Sequence, residues 1–463
     1  MEFVALAALT LAGSWLALPL GRGGIATAGR YAQGYLLAAV IVGWIASGFE
    51  RSGTTIHAWP LFAAVVIAAL AAVARDARRS ARGAAGDAPK AALVALLVVA
   101  LAHAALAAST AQSQPPFPWD AWTNWLFRAR AWFLEPGVPF SPIPLESAAR
   151  PVQVPGAHYP AAIPGLVAWL ARLGGDWSYP RLLLAWPLAY LAAVFAFGAL
   201  ADHVLRSRAT ALVAAVLLAA TPLVVTHALL AGYADLWTMG AVVLAAGGAF
   251  EWRRTRRFDP RIGAAMFLPV LVKIEGLVWL AILLLALALV WRPRVFGIAL
   301  AALAAVALLA MFAWPGGLHL FSERLVLAPD LVRIPYLGSS PLSLNPVLGP
   351  LVRALLTSQT FGVAIWAVLA GGVASFVLRR DRLAPVAEHA DAWRVVHAFA
   401  LLSLAFVLSL FAFTLAGRWA LDQTSLSRVV MQLLPVWLLV AARAFEPLDP
   451  RATGSISASR SGA

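Results

Sequence analysis

Long apolar runs separated by short polar connections extend over almost the whole chain. Many of these runs have about 20 residues, which is enough for a helix to cross a hydrocarbon core of roughly 30 Å. They are rich in Ala, Leu and Val and lack the alternation of apolar and polar residues that membrane barrels require. Because backbone groups within lipid must be hydrogen-bonded internally, the pattern predicts helices. The expected fold is therefore an all-α, polytopic integral membrane protein.

The pattern predicts about thirteen transmembrane helices, with the N-terminus outside and the C-terminus in the cytoplasm. The predicted spans cover residues 3–20, 32–48, 58–75, 91–110, 181–203, 209–227, 236–252, 262–272, 276–291, 295–314, 360–378, 395–416 and 429–446. We expect residues 1–90 to form three N-terminal spans, residues 91–446 the main transmembrane unit, and residues 447–463 a disordered cytoplasmic tail. The apolar stretch 161–173 is too short to cross upright and predicts a second interfacial or re-entrant helix.

The positions of the charged residues change what the composition implies. The chain is 62% hydrophobic and 12% charged, and its net charge is +14. In a soluble protein this charge would suggest nucleic acid binding, but here the basic residues cluster in the short connections 75–90 and 251–261. Such clusters are typical of cytoplasmic loops, so they orient the chain and argue against a nucleic acid partner. The sequence has no cysteine, which excludes disulfides and thiol chemistry.

Two segments predicted to lie outside, 111–180 and 315–359, depart from this apolar composition. The first contains an aromatic stretch, 118–133, that forms two faces when it is written as a helix. Residues three and four apart share a face, which makes an apolar stripe of Trp119, Trp122, Leu126, Ala129 and Phe133. Another face carries Asp120, Asn124 and Arg128. Because Trp favours headgroup depth, the stretch predicts an interfacial helix that holds one carboxylate just above the bilayer.

Ionisable residues that the positive-inside rule does not explain collect at the predicted outer boundary. Charges near the ends of spans are costly, so these positions are candidates for a functional site. Besides Asp120 and Arg128, they comprise His158-Tyr159-Pro160, Gly232-Tyr233-Ala234-Asp235-Leu236-Trp237, Lys273-Ile274-Glu275-Gly276, Arg418, Asp422 and Arg428. Separate parts of the sequence thus contribute charges to one face of the membrane.

These motifs resemble those of membrane glycosyltransferases of the GT-C superfold. The resemblance rests on Trp119-Asp120-Ala121-Trp122, His158-Tyr159-Pro160, Ala231-Gly232-Tyr233-Ala234-Asp235, Lys273-Ile274-Glu275-Gly276 and Arg428-Val429-Val430-Met431-Gln432-Leu433-Leu434-Pro435. It covers residues 91–446, and the superfold includes protein mannosyltransferases and the aminoarabinose transferase of lipid A. The resemblance implies transfer of a sugar from a polyprenyl-phosphate donor to a hydroxyl of a lipid, glycan or protein, at the outer face of the cytoplasmic membrane. Membrane lipids are further expected partners.

The resemblance also implies roles for individual residues. Asp120 matches the family's general base, which accepts the proton of the acceptor hydroxyl. The leaving phosphate requires cations or a metal ion, and the cations expected to bind it are Lys273, Arg428, Arg128 and Arg418. Asp235 matches a second family acid near the donor phosphate or a divalent ion, so Mg²⁺ or Mn²⁺ is the one cofactor implied. The residues expected to contact substrate are Trp122, His158, Tyr159 and Glu275.

The two acids and the arginines of the interfacial helix also have structural interpretations. Asp120, which follows Pro118 closely, occupies a position typical of a helix cap, and so does Asp235 at the start of a span. Arg128 and Arg130 can equally extend to lipid phosphates without any role in chemistry. These alternatives predict different contacts for each side chain.

The remaining candidates have structural alternatives as well. Lys273 and Glu275 can form an ion pair inside the bundle. His158 can be a loop histidine with satisfied hydrogen bonds. Arg428 can be a boundary anchor, although an outward-facing arginine is less expected from the positive-inside rule.

Two other classes of function compete with the transferase. A transporter or flippase for a lipid-linked or anionic solute would use the same charges to line a cavity, although no internal repeat is visible in the sequence. A scaffold protein would use them only as ion pairs. Charges spread through the membrane favour transport, whereas a cluster at one boundary favours transfer chemistry. The chain also lacks a Gly-x-x-x-x-Gly-Lys-Ser/Thr phosphate loop and a zinc-binding motif.

Overall fold

The computed structural model gives the fold of most of the chain. It describes residues 1–55, 57–80, 90–141, 152–154, 156–299, 301–302, 305, 318–320, 325–328, 331–334, 338–341, 344–357, 359–377, 389–414, 416–422 and 425–446. The predicted tail 447–463 lies outside the described residues, as do parts of both predicted outer segments. The described residues are predominantly helical, as the hydrophobic pattern predicts.

The helices vary widely in length. They are α1 (Glu2–Gly13), α2 (Gly23–Arg51), α3 (Ala58–Ser80), α4 (Lys90–Ser113), α5 (Leu126–Leu134), α6 (Ala162–Gly174), α7 (Tyr179–Leu182), α8 (Ala185–Val204), α9 (Arg208–Ala219), α10 (Pro222–Leu229), α11 (Asp235–Thr255), α12 (Pro260–Val272), α13 (Ile274–Trp291), α14 (Leu348–Leu356), α15 (Val363–Val377), α16 (Ala390–Phe413), α17 (Gly417–Leu421) and α18 (Leu426–Ala444). A π-helical turn, Ala121–Trp125, precedes α5 directly.

The described parts of the predicted outer segments contain two small sheets, which the hydrophobic pattern does not predict. Strands β1 (Phe140–Ser141) and β2 (Val152–Gln153) pair in parallel. The other sheet is an antiparallel meander of β3 (Leu318–Leu320), β4 (Leu325–Leu327), β5 (Leu331–Ile334) and β6 (Gly338–Pro341). Strands this short give little periodic signal in a sequence, which explains why they were not expected.

The described helices include seven that are long and apolar enough to cross a membrane. An eighth span results if α9 and α10, which are bent by 52° at their break, count as one. The multi-pass helical membrane architecture is therefore confirmed, whereas the number of thirteen spans is not. Several predicted spans are shorter helices: α1 has 12 residues, α12 has 13 and α15 has 15. The length of an apolar run does not determine where a helix begins or ends within that run.

The core is formed by long helices that cross a short buried one. Helix α2 packs against α6 and α8, and α8 packs against α11. The short helix α6, predicted to be interfacial or re-entrant, is buried along nearly its whole length. A Cβ atom on Gly43 would lie 2.1 Å from the Ala162 carbonyl oxygen, and one on Gly165 would lie 2.0 Å from the Gly43 oxygen. The two backbones are therefore in direct contact, and only glycine fits at the crossing.

The two ends of helix α11 carry opposite charges. It begins at Asp235 and carries Arg253 and Arg254 in its last turn. Its 21 residues correspond to about 30 Å at 1.5 Å per residue, which is the thickness of a hydrocarbon core. The basic residues of the predicted cytoplasmic connection thus lie at the end of α11 opposite Asp235.

Lys273 joins α12 to α13 as a single residue in an extended conformation, with φ −152° and ψ 155°. The chain folds back so tightly here that a Cβ on Gly276 would lie 1.9 Å from the carbonyl oxygen of Pro269. This close approach requires glycine at position 276. The turn fixes Lys273 between two packed helices, with its side chain directed toward the start of α11.

Candidate functional site

The site is built around Asp235, whose carboxylate is completely buried. Its Oδ1 accepts hydrogen bonds from Lys273 Nζ at 2.9 Å and from Gln432 Nε2 at 2.7 Å. Its Oδ2 accepts two from Arg428, through Nε at 2.9 Å and through Nη2 at 2.6 Å. Four N–H donors therefore occupy both oxygens, which offsets the cost of burying the charge. Asp235 is thus the anchor of the site and makes no capping hydrogen bond to its own helix.

Arg428 also joins this buried anchor to Asp120. Its Nη2 donates to Asp120 Oδ2, a contact between residues separated by 308 positions in the chain. The Asp120 side chain is 26% exposed and makes no capping hydrogen bond to the helix it precedes. The capping interpretation of Asp120 is therefore not supported, and its carboxylate is instead held at the edge of the site by a cation.

Lys273 extends the network in the other direction. Its Nζ lies 2.8 Å from Glu275 Oε1, so it bridges Glu275 and Asp235. The second oxygen of Glu275, Oε2, is buried and has no hydrogen-bond partner. Three carboxylates and two cations thus alternate in a linear series of ion pairs, and the more exposed acids, Asp120 and Glu275, stand at its two ends. Each end of the network therefore has a carboxylate, that of Asp120 or that of Glu275, that can accept a further hydrogen bond.

Two tyrosine rings cover the cations of the network. The guanidinium carbon of Arg428 lies 4.4 Å from the ring centre of Tyr233, and Lys273 Nζ lies 5.8 Å from that of Tyr159. Such contacts stabilise cations most where water is excluded. Burial and the nearby Glu275 carboxylate raise the pKa of Tyr159, so its hydroxyl stays neutral and can donate a hydrogen bond.

A π-helical turn begins directly after Asp120. It packs directly on the residue before Tyr233: Gly232 has φ +124°, and a Cβ there would lie 2.4 Å from the Cβ of Ala121. A π turn contains an additional residue and so rotates the residues that follow. Sequence spacing alone cannot predict this change of phase.

The change of phase divides the predicted apolar stripe. Trp119 and Trp122 are 73% and 47% exposed, as expected for lipid-facing residues, whereas Leu126 and Ala129 are buried. Leu126, Ala129 and Phe133 lie within α5 and keep the predicted spacing, whereas Trp119 and Trp122 precede α5 and differ from Leu126 and Ala129 in burial, so the predicted single stripe is divided. The predicted polar face, in contrast, points into the protein, because Asn124 and Arg128 are also buried.

Arg128 is a buried cation beside the network. Its Nη1 donates to Asn124 Oδ1 at 3.3 Å and to the carbonyl oxygens of Gly156 at 3.4 Å and Tyr159 at 3.2 Å. Burial, together with the nearby charge of Arg51, lowers the pKa of Arg128 to about 10. Since Arg128 is only 1% exposed, it does not extend to lipid phosphates as one interpretation held. It fixes the loop that carries Tyr159.

The other predicted residues lie at the margin of the site. Trp122 packs edge-on against Tyr179, with ring centres 6.0 Å apart. The exposed ring of His158 stacks on Tyr159 at 4.7 Å. Arg418 is exposed and lies over the ring of its neighbour Trp419 at 4.9 Å, and no contact with the network is found for it among the described residues. Arg418 is therefore the predicted phosphate ligand that the fold does not bring to the site.

Three further residues of the site, Gln432, Trp279 and His227, were not predicted. Gln432, one helical turn after Arg428, donates to Asp235 and accepts a hydrogen bond from Trp279 Nε1 at 2.7 Å. The i, i+4 spacing of Arg428 and Gln432 is the signal that could have identified it. His227 is buried, its Nδ1 contacts the Leu223 carbonyl at 3.0 Å, and its Nε2 has no partner. Nothing in the sequence around His227 indicates its position beside Tyr233.

A divalent metal at Asp235 does not fit this geometry. Both carboxylate oxygens already accept hydrogen bonds from cations and an amide. In the part of the chain that is described, no group of three or more His, Cys, Asp or Glu side chains could hold a metal ion. Asp235 is therefore better explained as a buried counter-ion than as a metal ligand.

The geometry permits acid–base chemistry at the boundary of the bundle. A partly exposed carboxylate oriented by an arginine can accept a proton, and the nearby cations can stabilise an anion. No protein-family model, no curated protein and no solved structure matches the chain. The interpretation of the site therefore depends on its residues and their contacts.

Proposed function

We propose that the protein is a membrane glycosyltransferase of the GT-C type, which moves a sugar from a polyprenyl-phosphate donor to a hydroxyl of a lipid, glycan or protein. The observation that carries this proposal is the contact between Asp120 and Arg428. A carboxylate that is neither a helix cap nor fully buried is kept in one orientation at the start of the interfacial helix. This arrangement suits a general base acting on a substrate at headgroup depth.

In the proposed reaction Asp120 accepts the proton of the acceptor hydroxyl. The acceptor oxygen forms a bond to the anomeric carbon while the bond from that carbon to the phosphate oxygen breaks, and the electron pair leaves with the polyprenyl phosphate. This single displacement inverts the anomeric configuration. Glu275, with one oxygen that has no partner, is suited to accept a hydrogen bond from a sugar hydroxyl.

The cations of the network would stabilise the leaving phosphate. Beyond the groups that bind Asp235, Asp120 and Glu275, Arg428 keeps its Nη1 and Lys273 keeps one ammonium N–H, and these are the donors available to an anion. Three carboxylates already face these two cations. Arg428 and Lys273 would therefore attract a phosphate less strongly than cations without acidic partners would. Arg128 is close to the same loop and would add positive charge there. Mg²⁺ or Mn²⁺, if the reaction uses either, would have to be bound together with the donor phosphate.

The position of the charges supports transfer over transport. Asp235 is the first residue of α11, Lys273 joins two helices, and Arg428 lies in the first turn of α18. All three are thus at helix ends, where a boundary site is expected, rather than along the middle of the spans. We further propose that this boundary is the outer face of the cytoplasmic membrane, since the arginines of the predicted cytoplasmic connection lie at the opposite end of α11.

A transporter or flippase is the second candidate, and the buried Asp235–Lys273 pair favours it. Ionisable pairs inside a membrane bundle are frequent in ion and solute pathways. The two functions differ in what remains bound when Asp120 is changed to Asn. A transferase should keep an intact sugar-linked polyprenyl phosphate, since binding remains but transfer stops.

The experiment is to purify the wild type and Asp120→Asn and to identify the bound lipid by mass spectrometry. We expect polyprenyl phosphate with its sugar on the variant, and polyprenyl phosphate without sugar or mixed species on the wild type. Uptake or lipid flipping by proteoliposomes of the wild type, without any glycosylated product, would contradict the proposal and support transport.

A further inference from the structure

A cavity of about 230 Å³ lies at the opposite end of the bundle from the candidate site. It is lined by the segment between α1 and α2 and by residues of α2, α3 and α12. Its charged lining residues are Arg30, Arg75 and Arg261. We call it the basic-end cavity. Arg261 and Lys273 mark opposite ends of α12, whose 13 residues correspond to about 20 Å.

The three arginines reach the cavity from three helices and are only partly exposed. Arg75 is held in place, since its Nη2 donates to the Ser14 carbonyl at 3.3 Å and its guanidinium lies 4.6 Å from the ring centre of Trp15. Arg261 donates to Asp259 from Nε at 3.0 Å and from Nη2 at 2.5 Å, which leaves Nη1 without a contact to Asp259. Long side chains lose entropy when they are fixed, so cations that the protein already holds around a cavity lose less entropy when an anion binds there.

Ser14 supplies an independent observation. Its side chain lines the same cavity, the residue is only 1% exposed, and its Oγ has no hydrogen-bond partner. A buried hydroxyl without a partner has lost its hydrogen bonds to water and gained none in exchange, which is unfavourable. A ligand oxygen in the cavity would remove this cost by accepting a hydrogen bond from Ser14.

We propose that the basic-end cavity binds a phosphate group. Guanidinium groups match the oxygens of phosphate in pairs, and three of them around one space suit an anion with several oxygens. The volume leaves room for a substituent on the phosphate. The group can come from the headgroup of an anionic phospholipid, which is abundant at a cytoplasmic surface, or from free phosphate. This inference does not depend on the proposed transferase activity.

The test uses the purified full chain in a non-ionic detergent, titrated with dioctanoyl phosphatidylglycerol, with dioctanoyl phosphatidylcholine or with sodium phosphate at constant ionic strength. Binding is measured from the shift of the thermal unfolding midpoint. We expect Arg75→Ala to weaken binding by roughly ten- to hundredfold, because a charge-assisted hydrogen bond is lost, and Ser14→Ala by about two- to tenfold. Arg257→Ala is the matched control, since Arg257 is an exposed arginine of the same end that does not line the cavity.

Each outcome decides the question. Binding of phosphatidylglycerol that Arg75→Ala weakens and Arg257→Ala leaves unchanged supports the proposal with a lipid as the source. The same pattern with sodium phosphate supports free phosphate as the source. If neither phosphatidylglycerol nor sodium phosphate binds the wild type, or if Arg75→Ala and Ser14→Ala bind as the wild type does, the proposal is wrong. If Arg75→Ala cannot be purified in folded form, Ser14→Ala, which removes one hydroxyl only, and Arg75→Lys decide between these outcomes.

Discussion

Arg428 donates from Nε and from Nη2 to the same oxygen of Asp235, at 2.9 Å and 2.6 Å. Both donors on one oxygen leave the other oxygen of Asp235 for Lys273 and Gln432. One buried carboxylate thereby connects α11 with α18 and with the junction of α12 and α13. The same guanidinium reaches Asp120, so the orientation of the candidate base depends on a buried ion pair.

Asp120→Asn should abolish most of the transfer activity. The substitution keeps the size of the side chain but removes its ability to accept a proton, and positioned bases contribute about 10²–10⁴-fold to rates. We expect a rate lower by roughly 100-fold or more in a reconstituted assay with a polyprenyl-phosphate sugar. Asp176→Asn is the matched control, since Asp176 is an exposed acid of the same predicted outer segment, paired with Arg181. Near-normal transfer by Asp120→Asn would remove Asp120 from the mechanism.

Asp235→Asn should destabilise the fold strongly. It leaves two buried cations without their shared carboxylate, and breaking a buried ion pair costs about 3–5 kcal/mol. The free energy of unfolding in mixed micelles containing dodecyl sulfate measures this loss. In Asp259→Asn, a surface pair with Arg261 is broken, for which less than about 1 kcal/mol is expected. Equal stability of the two variants would show that Asp235 is not the anchor of the network.

Gly276→Ala should disrupt the turn at Lys273. The added methyl group would lie 1.9 Å from the Pro269 oxygen, so the two helices must move apart at a cost of about 1–3 kcal/mol. Lys273 would then move away from Asp235, and we expect lower activity together with lower stability. Gly372→Ala is the control, because a Cβ there meets nothing within 4 Å and replacing a helical glycine stabilises by roughly 0.5–1 kcal/mol. A Gly276→Ala protein as stable as Gly372→Ala would contradict the tight turn.

Arg428→Ala should weaken the binding of polyprenyl phosphate. Removal of a charge-assisted hydrogen bond costs roughly 1.5–3 kcal/mol, which corresponds to a tenfold to hundredfold weaker affinity. Arg428→Lys should restore only part of it, because an ammonium group cannot copy the two-pronged contact. Arg418→Ala should bind as the wild type does, since the exposed Arg418 lies outside the network. Equal losses in Arg428→Ala and Arg418→Ala would move the donor site away from Arg428.

The orientation of the chain can be tested with single cysteines, because the sequence has none of its own. Ser113→Cys lies at the exposed end of α4, and Arg257→Cys lies in the exposed connection after α11. We expect an impermeant thiol reagent to label Ser113→Cys in intact cells and Arg257→Cys only after the cells are opened. The reverse pattern would place the candidate site in the cytoplasm and exclude an outward-facing transferase.

Several features of this protein follow from the sequence alone. Apolar runs and clustered arginines predict a multi-pass helical membrane protein, because burial in lipid constrains every span by itself and needs no knowledge of its neighbours. The same logic identifies Asp120, Asp235, Lys273, Glu275 and Arg428 as costly charges near span ends. Each of these residues belongs to the network.

Only the tertiary structure decides which of these charges meet. Asp120 and Arg428 are 308 positions apart. No local rule of sequence indicates that Arg428, and not Arg418, pairs with Asp120 and Asp235. The π turn after Asp120, the turn at Lys273 and the buried positions of Gln432 and His227 likewise depend on how helices pack against one another. A change of one residue in where a helix ends changes which side chain faces the interior. The positions of helix ends are set by close contacts such as that of Gly276 with Pro269. The hydrophobic pattern determines that the helices form in the membrane, whereas contacts between distant residues determine the site.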